Sequence, residues 1–532
     1  MSTAAATTSP RALPPVLGRL LSGTFWLALR TPLQAVCTLW TTRLILQAIG
    51  PDQMGAYKFA WGFGFFQFLF EFGISSALQR QISDSWTRDD REGVDRAIAC
   101  GTNFYAAMAV AQAAALLAVA YGALPFSQFR GDPAAYTLIV KLLWLQAVTA
   151  PCYGISVVAS SVLQAARRYD FIPRLELLVV ILRFALLVVG VYGGFDFFLI
   201  VAGQTAIQIG LTLGPALWVM KHALGHVPHF RGARLADWSA LLHISFFMSL
   251  MQLSVVLADR IDTTMLGFLV PDPGQANAVY DVVSKPFVQI RQTGWMLSYM
   301  VMPAVASLAA AADARGLDRI KYDGTRLHVG LLLPIALLAW LYAAPFLSLW
   351  VGDRLGYNAA TVAPLMRLFL IATLPLVLSV LVQTAIGIGK IRFVALSALA
   401  GSLVNLPISY ILTLRLGVAG VIWGTVLTTL FSNLLAPGIY VFRVLDVRPS
   451  TFFTRTLSAP LVGAAALLAA TGLVRALLPI PAEGSPTTAR LVLLLAHLTL
   501  GSVAYIGGYL ALPAGRGDLT GLASKLRRRR AE

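Results

Sequence analysis

Nine basic residues lie within otherwise apolar stretches of the chain: Arg30, Arg43, Lys58, Lys141, Arg183, Arg260, Lys285, Arg291 and Arg367. A cation at the centre of a membrane helix costs about 2.5–3.5 kcal/mol on insertion scales, so most of the nine are predicted to face a wet or protein-lined interior. Acids in the same stretches are fewer, namely Glu71, Glu176, Asp259, Asp262 and Asp281. An interior with surplus positive charge suits anion binding, and phosphate or diphosphate oxygens are the natural partners of guanidinium and ammonium donors.

Helical spacing sorts these residues. Arg30, Gln34, Thr38 and Thr41 form one stripe, and Gln67, Glu71 and Ser75 form another. Ser245, Gln252 and Asp259 recur at sevens, with Arg260 and Asp262 flanking that face. Asp281, Lys285, Gln289 and Gln292 make the clearest stripe. A span facing lipid all round does not carry such stripes. The substrate-binding set read from this pattern is Arg30, Gln34, Arg43, Arg260, Lys285, Gln289 and Arg291. Glu71, Asp259 and Asp262 are the acids able to bind a coupling ion.

Plainer readings stand beside these. Lys58 and Lys141 lie near helix ends, where long stems snorkel to the interface. Arg43 has a structural reading of equal weight. Asp259, Arg260 and Asp262 are close enough in sequence to neutralise one another. Glu176 and Arg183 share a face two turns apart and need other partners. His222, His226 and His229 crowd one connection, where a solvated face is the expectation rather than a metal site. Cys37, Cys100 and Cys152 have no metal-ligand or disulfide spacing and read as small apolar residues. No metal or other cofactor is expected.

The elements that must carry these residues are membrane helices. Of the 532 residues, 58% are hydrophobic and 12% charged, with a mean hydropathy of +0.74. Soluble domains carry roughly 25% charged residues. Apolar stretches long enough to cross about 30 Å of hydrocarbon recur from near residue 22 to near residue 513, and strands would show alternation instead. Fourteen spans are predicted, at 22–49, 53–79, 97–122, 136–164, 172–193, 196–220, 238–269, 277–308, 327–350, 360–388, 391–414, 417–442, 456–478 and 489–513.

The connections test that count. One alternating set, with both termini, carries 27 Lys and Arg; the opposite set carries five, Arg130, Arg354, Arg415, Arg475 and Arg490. The asymmetry places both termini in the cytoplasm and requires an even number of spans. The net charge of +17 therefore reflects topology, and nucleic acid is not a predicted partner. Membrane lipid is one, since Lys525 and Arg527 to Arg530 form a basic tail beside the last span. The N-terminal stretch lacks a compact apolar core followed by a cleavage site and reads as a cytoplasmic lead-in.

A duplication organises the spans. Residues 40–73 resemble residues 256–294, with Arg43 matching Arg260 and Tyr57 matching Tyr280. Residues 167–171 and 389–393 give a weaker echo. Both copies start with the same orientation, so the repeats are parallel and related by an axis along the membrane normal. The resulting organisation is a lead-in at 1–21, an N-lobe at 22–220, a cytoplasmic loop at 221–237 and a C-lobe at 238–442. Two extra helices at 456–513 and a basic tail at 514–532 complete it. Pro32, Pro286, Pro334, Pro364, Pro375 and Pro407 lie inside spans, where each removes a backbone hydrogen bond and permits a kink. Connections of no more than roughly 20 residues leave no room for a soluble catalytic domain, and neither a phosphate loop nor an HExxH motif is present. The reading is of a transporter, not an enzyme.

The stretch LQAIGPDQMGAYKFAWGFGFFQFLFEFGISSALQRQIS resembles the opening signature of Wzx-type polysaccharide flippases of the multidrug/oligosaccharidyl-lipid/polysaccharide (MOP) superfamily. DRIDTTMLGFL, VYDVVSKPF and GKIRFVALSALAGSLVNLPISYILTLRLGVAGVIWGT resemble later family patterns, and the likeness runs over roughly residues 20 to 445. The resemblance implies two six-helix lobes plus two helices, with a cationic cavity. It implies that an oligosaccharide on a polyprenyl diphosphate moves from the cytoplasmic to the outer leaflet of a bacterial inner membrane. It also implies service to surface polysaccharide (lipopolysaccharide or exopolysaccharide) synthesis, with polymerase and chain-length machinery as partners. The alternatives are a multidrug or small-cation exporter of the same superfamily, for which an acid-dominated cavity is expected, and a flippase for lipid II.

Overall fold

A computed structural model describes residues 15–71, 73–166, 168, 171–232, 253–254, 261–299, 301–481 and 485–520. The described residues are helical and contain no strand. Among the described residues, eleven helices are long and apolar enough to cross a membrane, from Arg91–Phe126 to Thr487–Ala511. They coincide with eleven of the spans read from hydropathy. The remaining three fall at 22–49, 53–79 and 238–269.

The first two run together. Helix Pro15–Gly62 is continuous except at Gly50, where φ is 72° and ψ is 177°. Pro51 disfavours α-helical geometry in the residue before it, and glycine alone accepts the positive φ without strain. The kink therefore lies where a connection was expected. What was read as a single second span is in pieces, ending at Gly62 and resuming as Phe65–Glu71 and Ile74–Thr87. Gly73 supplies the second break, at φ 65°. The third expected span falls mainly outside the described residues, with 261–269 helical. Asp259, Arg260 and the basic tail Lys525–Arg530 also lie outside them.

The span expected at 360–388 is interrupted. Helix Ala359–Ile371 gives way to a tighter turn at Leu374–Leu378, and helix Ser379–Gly387 follows. Pro375 has no N–H to continue the α-helical ladder, which accounts for the change.

Two compact units emerge: Met1–Ala48, Gly64–Gly122 and Val140–Ser249 in the first; Ile49–Phe63, Ala123–Ile139 and Leu250–Glu532 in the second. The core of the first joins Ile74, Leu78 and Ile82 to Ile98, Tyr105, Val158 and Val162. Gly154 makes this packing possible, since a Cβ there would sit 2.4 Å from Tyr105 Cβ. Small residues let membrane helices approach closely where the hydrophobic effect offers no drive between them. In the same unit His226 is buried, 5% exposed, with Nδ1 2.7 Å from Asp95 Oδ1. The expectation of a solvated histidine face is corrected at this position: a carboxylate on helix Arg91–Ala118 draws the ring inward.

In the second unit the segment after the Gly50 kink packs against helix Pro273–Tyr299. A Cβ on Gly55 would lie 1.7 Å from the Gly274 carbonyl oxygen, and one on Gly274 would lie 2.7 Å from Asp52 Cα. Backbone meets backbone there. One turn beyond Gly55 stands Lys58, and two turns beyond Gly274 stands Asp281.

Candidate functional site

That approach sets the geometry of a chamber in the second unit, with a volume of about 480 Å³. Lys58 Nζ lies 3.2 Å and Lys285 Nζ 2.8 Å from the same oxygen, Asp281 Oδ1. The three side chains are 20%, 16% and 12% exposed. One carboxylate thus neutralises one of two ammonium groups, and the triad keeps a net positive charge beside the chamber. Lys285 follows Asp281 by one turn, so the helix itself holds this pair. Lys58 arrives from the other helix through the glycine contact.

Arg291 is a third basic residue of the wall. Its guanidinium carbon is 4.9 Å from the Phe287 ring centroid and 5.0 Å from that of Trp295, the residues one turn before and after it. Aromatic faces attract a guanidinium and fix its plane. Polar groups complete the lining. Gln383 is 8% exposed, and its Oε1 accepts no hydrogen bond among the described residues. Ser254 and Ser402 face the chamber with their hydroxyls 3.1 Å apart.

Asp262 sits behind this wall at 0% exposure. Its Oδ2 accepts from Tyr280 Oη at 2.6 Å and from Thr425 Oγ1 at 2.8 Å, and both donors line the chamber. A buried carboxylate is one side-chain layer from the space where a cargo would sit.

The first unit holds Arg30, Gln34, Arg43 and Glu71. Arg30 Nη1 is 2.5 Å from Glu176 Oε2, which supplies the partner that Glu176 needed. Arg183 donates to Gln208 Oε1 at 2.6 Å. Gln34 is exposed and Arg43 half-buried on the same helix. Glu71 is 3% exposed and accepts hydrogen bonds from Tyr105 Oη and Tyr153 Oη, each at 3.2 Å.

Of the expected set, the structure brings Lys285 and Arg291 to one chamber. Gln289 is not among its lining residues, because the wall follows Ser284, Lys285, Val288, Arg291, Gln292 and Trp295. Lys58 departs from its snorkelling expectation: Asp281 holds its ammonium at the chamber. Sequence reasoning left both Lys58 and Asp281 out of the site. The duplication held the signal, since matching Tyr57 with Tyr280 places Lys58 and Asp281 at equivalent positions with opposite charge.

Among known proteins, residues 27–189 match the MatE family model. No curated protein matches the chain. Several solved structures share its fold. The structure titled lipid II flippase MurJ, inward closed conformation, has a TM-score of 0.67 at 13% identity, covering 90% of this chain and 98% of its own. An inward-facing multidrug resistance MATE family transporter of the MOP superfamily gives 0.60 at 13% identity, with coverage of 78% and 96%. A mutant of the Vibrio cholerae MATE transporter VcmN gives 0.54 at 17% identity, with coverage of 82% and 98%. The chain is a multi-pass membrane protein with the fold of these transporters.

Proposed function

We propose that the chain is a MOP-type transporter, and that its cargo is a lipid-linked oligosaccharide carried on a diphosphate. The observation that supports this most is the charge of the chamber in the second unit. Lys58, Lys285 and Arg291 line it, and Asp281 is the one carboxylate among its described lining residues. An organic cation is repelled by such a wall, whereas a diphosphate gains charge-assisted hydrogen bonds from it.

In this reading the diphosphate engages Lys285 and Arg291 and competes with Asp281 for the ammonium groups. The lipid tail stays in hydrocarbon, and an alternating exposure of the site carries the sugar from the cytoplasmic to the outer leaflet of a bacterial inner membrane. Two parallel six-helix lobes provide the moving bodies. Arg30, Gln34, Arg43 and Arg260 are further candidates for contact with the anionic cargo, with Arg30 released from Glu176 when substrate arrives. Asp262, behind Tyr280 and Thr425, Asp259 and Glu71 are the candidates for a coupling ion.

The test is export of surface polysaccharide in cells that depend on this chain. Lys285→Gln with Arg291→Gln is expected to abolish export while leaving the protein in the membrane. Unchanged polymer output from that double variant would overturn the site assignment. A second reading takes lipid II as cargo, and the fold shared with MurJ over 90% of the chain is the observation behind it. Loss of cell-wall growth on depletion, with surface polysaccharide export intact in survivors, would favour that reading. Drug accumulation on deletion, with both polymers unaffected, would favour the multidrug reading.

A further inference from the structure

A second basic cavity lies apart from the chamber, at the helix ends that the charge asymmetry assigns to the outer side. It is an open cleft of about 660 Å³ in the second unit, lined by Arg367, Arg475 and Arg490 with Tyr342, Ser348 and Asn358. These arginines come from three helices, Ala359–Ile371, Ser458–Leu477 and Thr487–Ala511. Two of them are among only five basic residues on that side of the chain. Their convergence on one cavity is not a by-product of a generally basic surface.

No carboxylate lines the cavity among the described residues, and none pairs with these three arginines there. Their partners are neutral. Arg367 Nε donates to the Trp340 carbonyl at 3.2 Å, and its guanidinium lies over the Trp340 ring. Arg475 donates to the Leu341 carbonyl and lies 4.4 Å from the Tyr342 ring centroid. Arg490 donates to Ser348 Oγ, and its buried Nε has no hydrogen-bond partner among the described residues. A guanidinium has five N–H donors, so most remain uncommitted. Asn358 caps helix Ala359–Ile371, and the first turn of that helix adds its positive dipole end to the cavity wall.

Three mutually repelling cations with spare donors make a site for an oxyanion, and guanidinium groups suit phosphate geometry. The surroundings indicate where the phosphate comes from. Leu473, Leu477 and Leu478, near Arg475, are 62%, 69% and 51% exposed, and Trp340 beside Arg367 is 43% exposed. Exposed indoles are enriched at the membrane–water boundary. We propose that this cavity binds the phosphate of an anionic phospholipid headgroup, with the acyl chains lying along the exposed leucines. The proposal stands on the membrane-embedded fold and is independent of the transported cargo.

The test uses the purified full chain in neutral detergent, with thermal unfolding followed as lipid is added. Binding to the folded state alone raises the midpoint in a saturable way. Phosphatidylglycerol is expected to stabilise the protein, with phosphatidylcholine weaker. Arg475→Gln with Arg490→Gln is expected to weaken the apparent affinity about tenfold. Native mass spectrometry of the unmodified protein, counting retained phosphatidylglycerol, gives a reading that does not rely on the variant folding. Equal stabilisation by inorganic phosphate would overturn the lipid source in favour of a free anion. Equal response of wild type and double variant, or no response to phosphatidylglycerol, would overturn the site. Glu483, outside the described residues, is the acid in the adjoining connection; a response that appears only in Glu483→Gln would mean an internal counter-ion fills the cavity, and would overturn the proposal.

Discussion

Lys58 and Asp281 meet at 3.2 Å because Gly55 and Gly274 let their backbones touch one turn and two turns away. The pair depends on glycines that carry no charge themselves. Removing the carboxylate leaves two largely buried ammonium groups facing each other, and breaking a buried pair typically costs about 3–5 kcal/mol. Asp281→Asn is therefore expected to lower the thermal midpoint and the folded yield in detergent. Asp281→Asn combined with Lys58→Gln should recover most of that loss. Melting curves of the two variants check this, and equal destabilisation in both would show that the triad is not held by charge.

The backbone contact itself makes a second expectation. A side chain at Gly274 has no space, because even a Cβ would lie 2.7 Å from Asp52 Cα. Overpacking of a rigid contact costs about 1–3 kcal/mol or more. Gly274→Val should separate the two segments and pull Lys58 from Asp281, whereas Gly472→Val, at a glycine with open space around it, should be tolerated. Folded yield by size-exclusion chromatography separates these outcomes.

The helices were legible in the sequence because hydropathy reports the solvent around a segment, and eleven spans agree with helices among the described residues. Gly50–Pro51 was equally legible as a boundary, since local sterics decide it. Lys285 stood out because its helix carries polar residues at regular spacing, and Arg291, off that stripe, stood out only as a cation in an apolar stretch. Lys58 was misplaced for the opposite reason. Its neighbours say only that it is near a helix end, and its partner is 223 residues away, reached through two glycines whose meaning is tertiary. Arg30 shows the same limit: its stripe was visible, but Glu176 as partner lay 146 residues distant. Arg367, Arg475 and Arg490 looked unrelated along the chain and converge only in three dimensions.

Glu71 offers a test that separates structure from coupling. Two tyrosine hydroxyls donate to it, and a buried polar group left without partners costs about 1–3 kcal/mol. Glu71→Ala is expected to destabilise by about that amount, with Tyr105→Phe costing less because it leaves the Tyr153 hydrogen bond in place. Glu71→Gln retains shape and an acceptor oxygen. If it folds normally but loses gradient-dependent transport in proteoliposomes, the carboxylate couples; if transport persists, Glu71 serves packing alone.

Asp262 gives the sharper case, because the groups above it line the chamber. Asp262→Asn keeps an acceptor for Tyr280 and Thr425, so the wall should stay intact and the protein should fold. A change confined to charge then isolates the role of the negative end. If Asp262 couples an ion to cargo movement, the variant should bind a diphosphate lipid with affinity within about threefold of wild type, a difference below 1 kcal/mol, yet fail to move it under a gradient. Tyr280→Phe removes one donor and leaves the acid in place, so it should slow transport without abolishing it. Transport by Asp262→Asn at the wild-type rate in proteoliposomes would remove this residue from the coupling pathway and leave it as the polar anchor of the chamber wall.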